Sequence, residues 1–303
     1  MAVPDFQSLM LPLLKFASDG EEHSMPEARE YLAKALSLND IDRKEMLPSG
    51  RQTKFGNRVA WAKVYLSRAG LLESPKRGIF RITENGCTVL SSAPNKITIK
   101  FLEQFPEFRE FRYERKGSRT GKPKAEGDEQ AETPEEALEQ AAENLRDEVA
   151  QQLIKQVKDN SPGFFEKLVV ELLVKMGYGG SIKDAGQAIG QSGDEGIDGI
   201  IKEDKLGLDL IYIQAKRWEA SVGRPELQKF VGALHGKRAK KGVFITTSSF
   251  SQQAFEYVNQ VDPNIVLIDG ERLVDLMIDY NLGVSVANTI EIKKIDSDYF
   301  VEE

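Results

Sequence analysis

Apolar residues recur at helical spacing near the start of the chain. Between residues 4 and 19 they fall three and four positions apart, which predicts a helix with one buried face. Ser24-Met-Pro-Glu27 has the form of a capping box with proline in the first turn, so a second helix is expected to run from there to about Leu36. A short third helix is expected near Asp40–Leu47.

A fourth amphipathic stretch and a hairpin follow. The segment Asn57–Ala69 keeps one apolar face, and Asn57 suits an N-cap. Two short apolar runs, Leu71–Ser74 and Ile79–Thr83, flank the turn Pro75–Gly78. Three helices followed by a two-stranded hairpin with a basic tip are typical of a winged helix. In that arrangement Asn57–Ala69 is the recognition helix and can enter the major groove of DNA.

A polar stretch divides the chain. Residues 117–132 consist largely of Gly, Ser, Lys, Pro, Glu and Gln and contain no large apolar side chain, which predicts a flexible linker. The expected organisation is a winged-helix DNA-recognition domain at 1–116, the linker, and a catalytic domain at 133–303 that begins with an acidic helix at 133–158. The outer face of that helix is acidic, so it is expected to pack on the second domain or on a partner chain and not on DNA.

Strands alternate with helices after the linker. This order predicts an α/β domain with a partly parallel sheet and a possible edge strand near the C-terminus. The helices are expected at Phe164–Met176, Pro225–His235, Ser251–Asn259 and Gly270–Tyr280, and the strands at Ile197–Ile201, Leu208–Ile213, Gly242–Thr247, Ile265–Ile268 and Thr289–Ile295.

Polar groups stand at the open ends of the first two of these strands. The turn Lys202–Gly207 joins the strands into a hairpin, with Asp198 on one side and Gln214 and Lys216 on the other. Side chains alternate along a strand, so Gln214 and Lys216 share a face. Pairing around a two-residue turn would set Asp198 opposite Ile211. A longer loop, a bulge or a bend is therefore needed to bring Asp198 to Gln214.

These residue types suit a metal-dependent nuclease. Such an enzyme must orient an attacking water and neutralise a crowded phosphate, and one or two Mg²⁺ ions held by oxygen ligands can do most of this. Asp198 would be the main metal ligand, Gln214 would bind the metal or its water through the amide oxygen, and the carbonyl of Ala215 would add a ligand. Lys216 would lie against the nucleophile or the phosphate. The competing interpretation is a turn aspartate and a solvated lysine.

Charge narrows the substrate class. The chain has a net charge of −7, yet residues 43–81 hold ten Lys or Arg against two acids. A basic block inside an acidic protein indicates a phosphate-binding surface. The competing interpretations are a solvated face and a winged helix used for protein contacts. The residues expected to contact double-stranded DNA are Arg51, Lys54, Asn57, Arg58, Lys63, Arg68, Lys76 and Arg77.

Other chemistries are disfavoured. The single cysteine, Cys87, leaves no disulfide framework and no cysteine zinc site, and the two histidines, His23 and His235, stand far apart. No run reaches the roughly 18 apolar residues of a membrane span, and no secretion signal begins the chain. We therefore expect a cytoplasmic protein without membrane contact, associated with the nucleoid when bound to DNA.

Several motifs in series resemble the Mrr-type restriction endonucleases of the PD-(D/E)xK nuclease superfamily. They span residues 161–283 in the family's order, and residues 57–62 and 77–83 are similar to the family's winged-helix recognition domain. The motifs are Phe164-Phe-Glu-Lys-Leu, Gly196-Ile-Asp-Gly-Ile-Ile, Ile213-Gln-Ala-Lys-Arg, Gly242-Val-Phe-Ile-Thr-Thr and Ile268-Asp-Gly-Glu-Arg-Leu. The resemblance implies a winged-helix domain followed by a restriction-endonuclease-like α/β/α domain with a mixed sheet.

The resemblance also implies an activity and a set of site residues. It implies a type IV-like endonuclease that uses Mg²⁺, with Mn²⁺ as an alternative ion, to cut methylated foreign DNA in a bacterial cell. By motif match Asp198, Gln214 and Lys216 hold the family's active-site positions, and Glu166 matches the acid that supplements the site in many members. Gln214 replaces the superfamily's usual second carboxylate, which favours a single ion. Glu195 stands where the family often has glycine and could add a ligand.

Assembly and competing functions stay open at this point. Cutting both DNA strands needs two active sites or two visits, so a homodimer or higher homo-oligomer is expected. The alternatives are a DNA repair or recombination nuclease with the same core, and a winged-helix DNA-binding regulator with an inactive nuclease domain. A third alternative is an assembly module in which the helix at 133–158 mediates oligomerisation.

Overall fold

The chain folds into two compact units. The computed structural model describes residues 2–113, 132–179, 196–204, 207–293 and 295. One unit lies within Met1–Asn144 and the other within Leu145–Lys293. This division falls inside a helix and not at the expected linker, of which residues 117–131 lie outside the described part of the chain. The first turns of that helix make their contacts in the first unit, which accounts for the difference.

The first unit is helical around a small antiparallel sheet with strand order β1-β3-β2. Its buried core takes apolar side chains from the helices and from the sheet. The elements are α1 (Phe6–Phe16), β1 (His23–Ser24), α2 (Met25–Ala35), α3 (Asp40–Lys44), α4 (Lys54–Arg68), β2 (Leu72–Glu73), β3 (Ile79–Ile82), α5 (Glu84–Ser91), α6 (Ile99–Leu102) and α7 (Pro106–Tyr113).

Caps set where the helices of this unit begin. The capping box at Ser24 and Glu27 is present, and it starts α2 as the sequence predicts. Helix α4, which covers the predicted recognition helix, begins earlier than predicted, because the Oγ1 of Thr53 accepts the amide of Gly56 at 3.1 Å and so caps the helix. Asn57 therefore lies inside α4, and the prediction that it is the N-cap is wrong.

The second unit is a three-layer α/β/α sandwich. Its sheet has the order β4-β5-β6-β7, with β4 antiparallel to β5 and the other pairs parallel. Side chains of α8, α9 and α12 fill the core on one face, and those of α10 and α11 fill the core on the other. The elements are α8 (Pro134–Asp159), α9 (Pro162–Lys175), β4 (Gly199–Lys202), β5 (Leu210–Lys216), α10 (Arg224–Gly236), β6 (Lys241–Thr246), α11 (Gln252–Val258), β7 (Asn264–Ile268) and α12 (Gly270–Asp279).

The mixed sheet with helices on both faces confirms the predicted fold class. The expected edge strand at Thr289–Ile295 is wrong for residues 289–293, which form no strand. Ile290 and Ile292 are exposed there. The alternation of apolar residues is not enough to form a strand, because a strand also needs a neighbouring strand to pair with. Among the described residues, no helix is long and apolar enough to cross a membrane.

Candidate active site

Strand pairing brings Asp198 level with Gln214. In the hairpin, Gly199 lies opposite Ile213 and Lys202 lies opposite Leu210. The amide of Asp198 donates to the carbonyl of Ile213 at 2.8 Å, so Asp198 joins the end of the hairpin beside the Gly199–Ile213 pair. The connection between the strands spans residues 203–209, so a loop longer than two residues closes the gap between Asp198 and Gln214.

Donors from β5 hold the Asp198 carboxylate. Its Oδ2 accepts the amide of Ala215 at 2.7 Å and also accepts the side-chain Nε2 of the buried Gln214. Gly196 precedes this point with φ 104°, and a Cβ built on it would lie 3.3 Å from the Oε1 of Gln214. Only glycine adopts that backbone readily, so Gly196 lets the chain turn into the strand close beside Gln214.

Alternation along β5 separates its polar and apolar side chains. Ile213 and Ala215 pack into the core on the α9 side, whereas Tyr212 packs on the α10 side. Gln214 and Lys216 follow Tyr212 by two and four positions, so they share the α10 side, as the sequence predicts. The carbonyl of Lys216 accepts the Oγ1 of Thr246 at 2.8 Å, which ties the end of β5 to β6.

Burial disfavours charge on both acids of the site. It raises the pKa of Asp198, and the hydrogen bond from the Ala215 amide and the charge of Lys216 oppose this rise. Burial also raises the pKa of Glu166, and the nearby charge of Asp198 adds to the effect. Two carboxylates that repel each other in a partly desolvated place would both be stabilised by a bound cation.

The donor set fits a hard cation. Asp198 and Glu166 supply carboxylate oxygens, and Gln214 and Ala215 supply amide and carbonyl oxygens, which are the atoms that Mg²⁺ prefers. Within the described residues no three Asp, Glu, His or Cys side chains gather into a metal-binding group, so the amide and carbonyl oxygens are needed. Gln214 turns its amide nitrogen to Asp198 here, and ligation through Oε1 requires the amide to rotate. Glu195 lies outside the described residues.

Two side chains beside Lys216 are not predicted from the sequence. Lys216 Nζ donates to Glu226 Oε2 at 2.6 Å and lies 4.5 Å from the centroid of the Trp218 ring. Glu226 stands in the first turn of α10, the crossover helix between the parallel strands β5 and β6. The start of such a helix lies near the carboxyl end of the preceding strand, so topology carried a signal for this pairing that the spacing of residues did not.

Two residues that were expected to meet DNA are bound inside the first unit. Asn57 and Arg58 are 1% and 9% exposed. Arg58 Nε donates to Glu136 Oε1 at 2.8 Å, and its Nη1 donates to the carbonyl of Val3 at 2.6 Å. Asn57 Nδ2 donates to the Glu135 carboxylate. The first turn of α8 thus takes the donors assigned to phosphate, which contradicts the prediction that Asn57 and Arg58 contact DNA.

Three more of the expected DNA contacts have neighbours within the unit. Lys54 forms an ion pair with Glu45 at 2.7 Å, and the half-buried Lys63 donates to Ser74 Oγ at 2.6 Å. The exposed Arg68 lies over the Phe111 ring. These contacts leave the cations near the surface, where phosphate can compete with the present partners.

The remaining three predicted contacts are exposed. Arg51 lies before α4, and Lys76 and Arg77 lie in the turn between β2 and β3, which is the wing tip of a winged helix. Lys76 pairs with Glu22 at 2.6 Å in an exposed ion pair, a type that contributes little to stability. The wing tip is the part of the predicted DNA surface that is most open to solvent.

Two family models match the chain, one in each unit. The model for the Mrr N-terminal domain matches residues 6–92, and a restriction endonuclease model, Mrr_cat, matches residues 157–277. A relative from Escherichia coli (strain K12), the type IV methyl-directed restriction enzyme EcoKMrr, is 40% identical over 311 residues. The match covers 99% of this chain and all of the relative.

Two solved structures match parts of the chain at low similarity. MspJI restriction endonuclease in complex with a 27-mer oligonucleotide is 23% identical with a TM-score of 0.34, over 55% of this chain and 37% of that one. The DNA modification-dependent restriction endonuclease AspBHI is 16% identical with a TM-score of 0.35, over 71% of this chain and 56% of that one. The chain thus matches less than two thirds of either protein, and at these TM-scores neither likeness bears on function.

Proposed function

The chain belongs to the Mrr family of restriction endonucleases, and from that premise we propose that it is a Mg²⁺-dependent type IV enzyme that hydrolyses phosphodiester bonds of methylated DNA. The substrate class follows that of the relative, a methyl-directed restriction enzyme that aligns over its whole length. The metal and the residue roles come from the geometry of the second unit.

The convergence at one end of the β4–β5 hairpin carries this proposal. Asp198, Gln214 and Lys216 meet there although 15 residues separate the first two in sequence. Glu166 on α9 is close enough for the charge of Asp198 to raise its pKa. Two partly buried acids, one of which raises the pKa of the other, with a cationic lysine beside them, are costly for stability alone, which favours a functional role for the cluster.

The oxygen donors would hold the metal. Asp198 would be the principal ligand, with Glu166 and the carbonyl of Ala215 beside it and Gln214 joining after its amide rotates. A bound Mg²⁺ would supply Lewis-acid stabilisation of the phosphate and of the attacking oxygen. Because Gln214 carries no charge, the two described carboxylates balance one divalent ion and not two.

Lys216 would act on the phosphate directly. Its ammonium is positioned at the end of β5 and can donate a charge-assisted hydrogen bond to a phosphate oxygen as negative charge grows there. Asp198, fixed by the Ala215 amide, would keep its orientation when the phosphate arrives. Asp198 and Lys216 would therefore already be oriented, at the same end of the β4–β5 hairpin, before the phosphate binds.

The first unit would position the DNA. Phosphate contacts are proposed for the exposed Arg51, Arg68, Lys76 and Arg77, with Lys54 and Lys63 joining when they release their present partners. Asn57 and Arg58 are left out because acids of α8 hold them. The enzyme would act on DNA in the cytoplasm, as a homodimer or a higher homo-oligomer so that both strands are cut.

A plasmid assay tests the proposal. Methylated and unmethylated plasmids are incubated with the wild-type protein in Mg²⁺ or in EDTA, and the Lys216→Ala variant is tested in parallel. Cleavage is expected only for the methylated plasmid in Mg²⁺, and the variant is expected to lose it. Lys240→Ala is the matched control. Lys240 is an exposed lysine just before β6, and Lys216 lies at the other end of the paired strands β5 and β6.

Three results would overturn parts of this account. Cleavage in EDTA would show that the reaction needs no metal. Cleavage by Lys216→Ala would show that Lys216 does not have the proposed role. Binding of methylated DNA without cleavage under any condition would favour a DNA-binding regulator with the same fold.

A further inference from the structure

We propose that Glu226 and Trp218 are positioning residues that hold the ammonium group of Lys216 for phosphodiester cleavage. The inference rests on the function proposed above and assigns roles to two side chains outside the Asp198, Gln214 and Lys216 motif. Neither residue needs to touch DNA or metal, because each acts through the lysine.

Contacts from two elements fix the ammonium. Lys216 Nζ donates to Glu226 Oε2 at 2.6 Å, and the side chains of Lys216 and Glu226 are only 25% and 14% exposed. The same Nζ lies 4.5 Å from the centroid of the Trp218 ring, within the range of a cation–π interaction. The second oxygen of Glu226 accepts Lys229 Nζ at 2.7 Å, so both carboxylate oxygens are engaged and the group cannot rotate freely.

The fold delivers both partners to this place. Lys216 points to the α10 side of the sheet by the alternation of β5, and Glu226 occupies the first turn of α10. Trp218 follows Lys216 by two residues, just after the strand ends, and its amide donates to the Lys216 carbonyl at 3.1 Å. Glu226 packs from a separate helix, so its carboxylate meets Lys216 only in the folded chain.

The position of the ammonium needs such a clamp for two reasons. A lysine has four rotatable side-chain bonds, and holding them in one arrangement costs conformational entropy. Asp198 also attracts the same ammonium, since the charge of Lys216 opposes the burial-driven rise in the pKa of Asp198. Without Glu226, Lys216 would be free to form an ion pair with Asp198 and to occupy the space of the metal. Glu226 therefore keeps the lysine and the acid apart while both stay in the site.

Cleavage kinetics test the clamp. The single-turnover cleavage rate of a methylated duplex in Mg²⁺ and the Kd for the same duplex in Ca²⁺ are measured for Glu226→Ala, Glu226→Gln, Trp218→Phe and the wild type. We expect Glu226→Ala to lower the rate roughly 10–100-fold while Kd changes less than about 3-fold. Glu226→Gln keeps an acceptor oxygen and should lose less, and Trp218→Phe keeps a ring and should lose least. Gln228→Ala, an exposed change on the same helix, is the matched control.

A spectroscopic readout makes the placement testable without activity. In protein carrying ¹³C-labelled lysine, the Hε resonances of Lys216 should be shifted upfield by the Trp218 ring, with the assignment made from Lys216→Arg. Glu226→Ala should return them toward the usual lysine position, and Gln228→Ala should not move them.

The two measurements separate the possible failures. Unshifted Lys216 resonances in the wild type, wild-type cleavage by Glu226→Ala, or faster cleavage by that variant would each overturn the clamp. If the wild type cuts no methylated DNA in Mg²⁺ while the resonances behave as expected, the proposed nuclease function fails and the placement of the lysine stands.

Discussion

Two ion pairs, one in each unit, show how the same chemistry serves different ends. Arg58 and Glu136 in the first unit are 10% and 7% exposed, and the backbone carbonyls of Val3 and Pro4 accept Nη1 of Arg58. Lys216 and Glu226 in the second unit are 25% and 14% exposed, and an aromatic face covers the lysine. The first pair is almost fully buried, whereas the second borders a carboxylate whose charged form burial destabilises.

The difference teaches what decides the role of a charged residue. In the first unit the guanidinium of Arg58 is not available to a ligand, because Glu136 in the first turn of α8 pairs with it. In the second unit the cation keeps one side toward Asp198, and the hydrogen bonds around it orient it without enclosing it. A charge is available to a ligand when its intramolecular partners leave part of it open, and this cannot be read from the number of charges in a segment.

Breaking the closed pair should have the largest effect. Arg58→Ala leaves Glu136 buried without its cation, and removing one partner of a buried pair costs roughly 3–5 kcal/mol. The free energy of unfolding of the first unit can be followed in urea by the fluorescence of Trp61 in a Trp218→Phe background, since the chain has only these two tryptophans. Arg81→Ala, which breaks an exposed pair with Glu73, should leave the free energy of unfolding nearly unchanged.

The contrast would fail if Arg58→Ala unfolded at the same urea concentration as Arg81→Ala. In that case Arg58 would be open to other partners, and it would return to the set of proposed DNA contacts.

Changing the open site should remove activity and leave the fold intact. Asp198→Asn keeps an oxygen that can accept the Ala215 amide, but it removes the charge that would hold a metal. We expect the single-turnover cleavage rate to fall by at least roughly 10²–10³-fold, the size of loss seen when one preorganised electrostatic group is removed. Cleavage within about 10-fold of wild type would show that Asp198 is not the principal ligand.

The pH dependence of stability gives a smaller effect of predictable sign. Burial raises the pKa of Asp198 above its ordinary value of 3.8, so the folded state keeps the proton to higher pH than the unfolded chain does. Stability is therefore lost as pH rises above that value, and Asp198→Asn escapes the loss. In EDTA the variant should melt above wild type at pH 7.5, and the difference should shrink as the pH approaches 3.8.

Added Mg²⁺ should make the wild type melt above Asp198→Asn. Mg²⁺ at about 100 times its Kd would stabilise the wild type by roughly 2.7 kcal/mol and should leave Asp198→Asn unchanged. Thermal melts in Mg²⁺ and in EDTA measure both effects, and an equal shift in the two proteins would place the metal elsewhere.

The wing tip should give the smallest effect. Lys76 and Arg77 are exposed, so Lys76→Ala with Arg77→Ala should leave stability unchanged and weaken DNA binding. Each phosphate contact that is lost should lower the slope of log K against log salt by about 1. Binding isotherms at several salt concentrations measure this slope. An unchanged slope would move the DNA surface of the first unit away from the wing.

Local signals in the sequence predict most of the architecture and the placement of Asp198 and Lys216 at one end of the β4–β5 hairpin. Local signals determine these features: a capping box at Ser24, an apolar alternation along β5, and polar residues where strands end. Asp198 and Lys216 can be proposed together from the sequence because the hairpin that places them is continuous in sequence. The loop that sets their register was anticipated only as one of several options.

What the sequence did not reveal depends on contacts between distant segments. The burial of Arg58 depends on Glu136, which lies 78 residues further along the chain, and no periodicity links the two. Thr53 caps α4 in place of Asn57 because the helix extends its buried face by a further turn. The location of Glu226 near the end of β5 could be predicted from topology, since a crossover helix begins near the strand that it follows. Its ion pair with Lys216 could not be predicted, because it depends on how α10 packs on the sheet.

Direct measurement of metal binding tests the central claim, that the Asp198 cluster is an open cation site. Mn²⁺ is titrated into the full chain, and the free ion is followed by electron paramagnetic resonance for the wild type, Asp198→Ala and Lys240→Ala. One ion per chain is expected for the wild type and for Lys240→Ala, and none at the same concentrations for Asp198→Ala. Equal binding by wild type and Asp198→Ala would contradict the account.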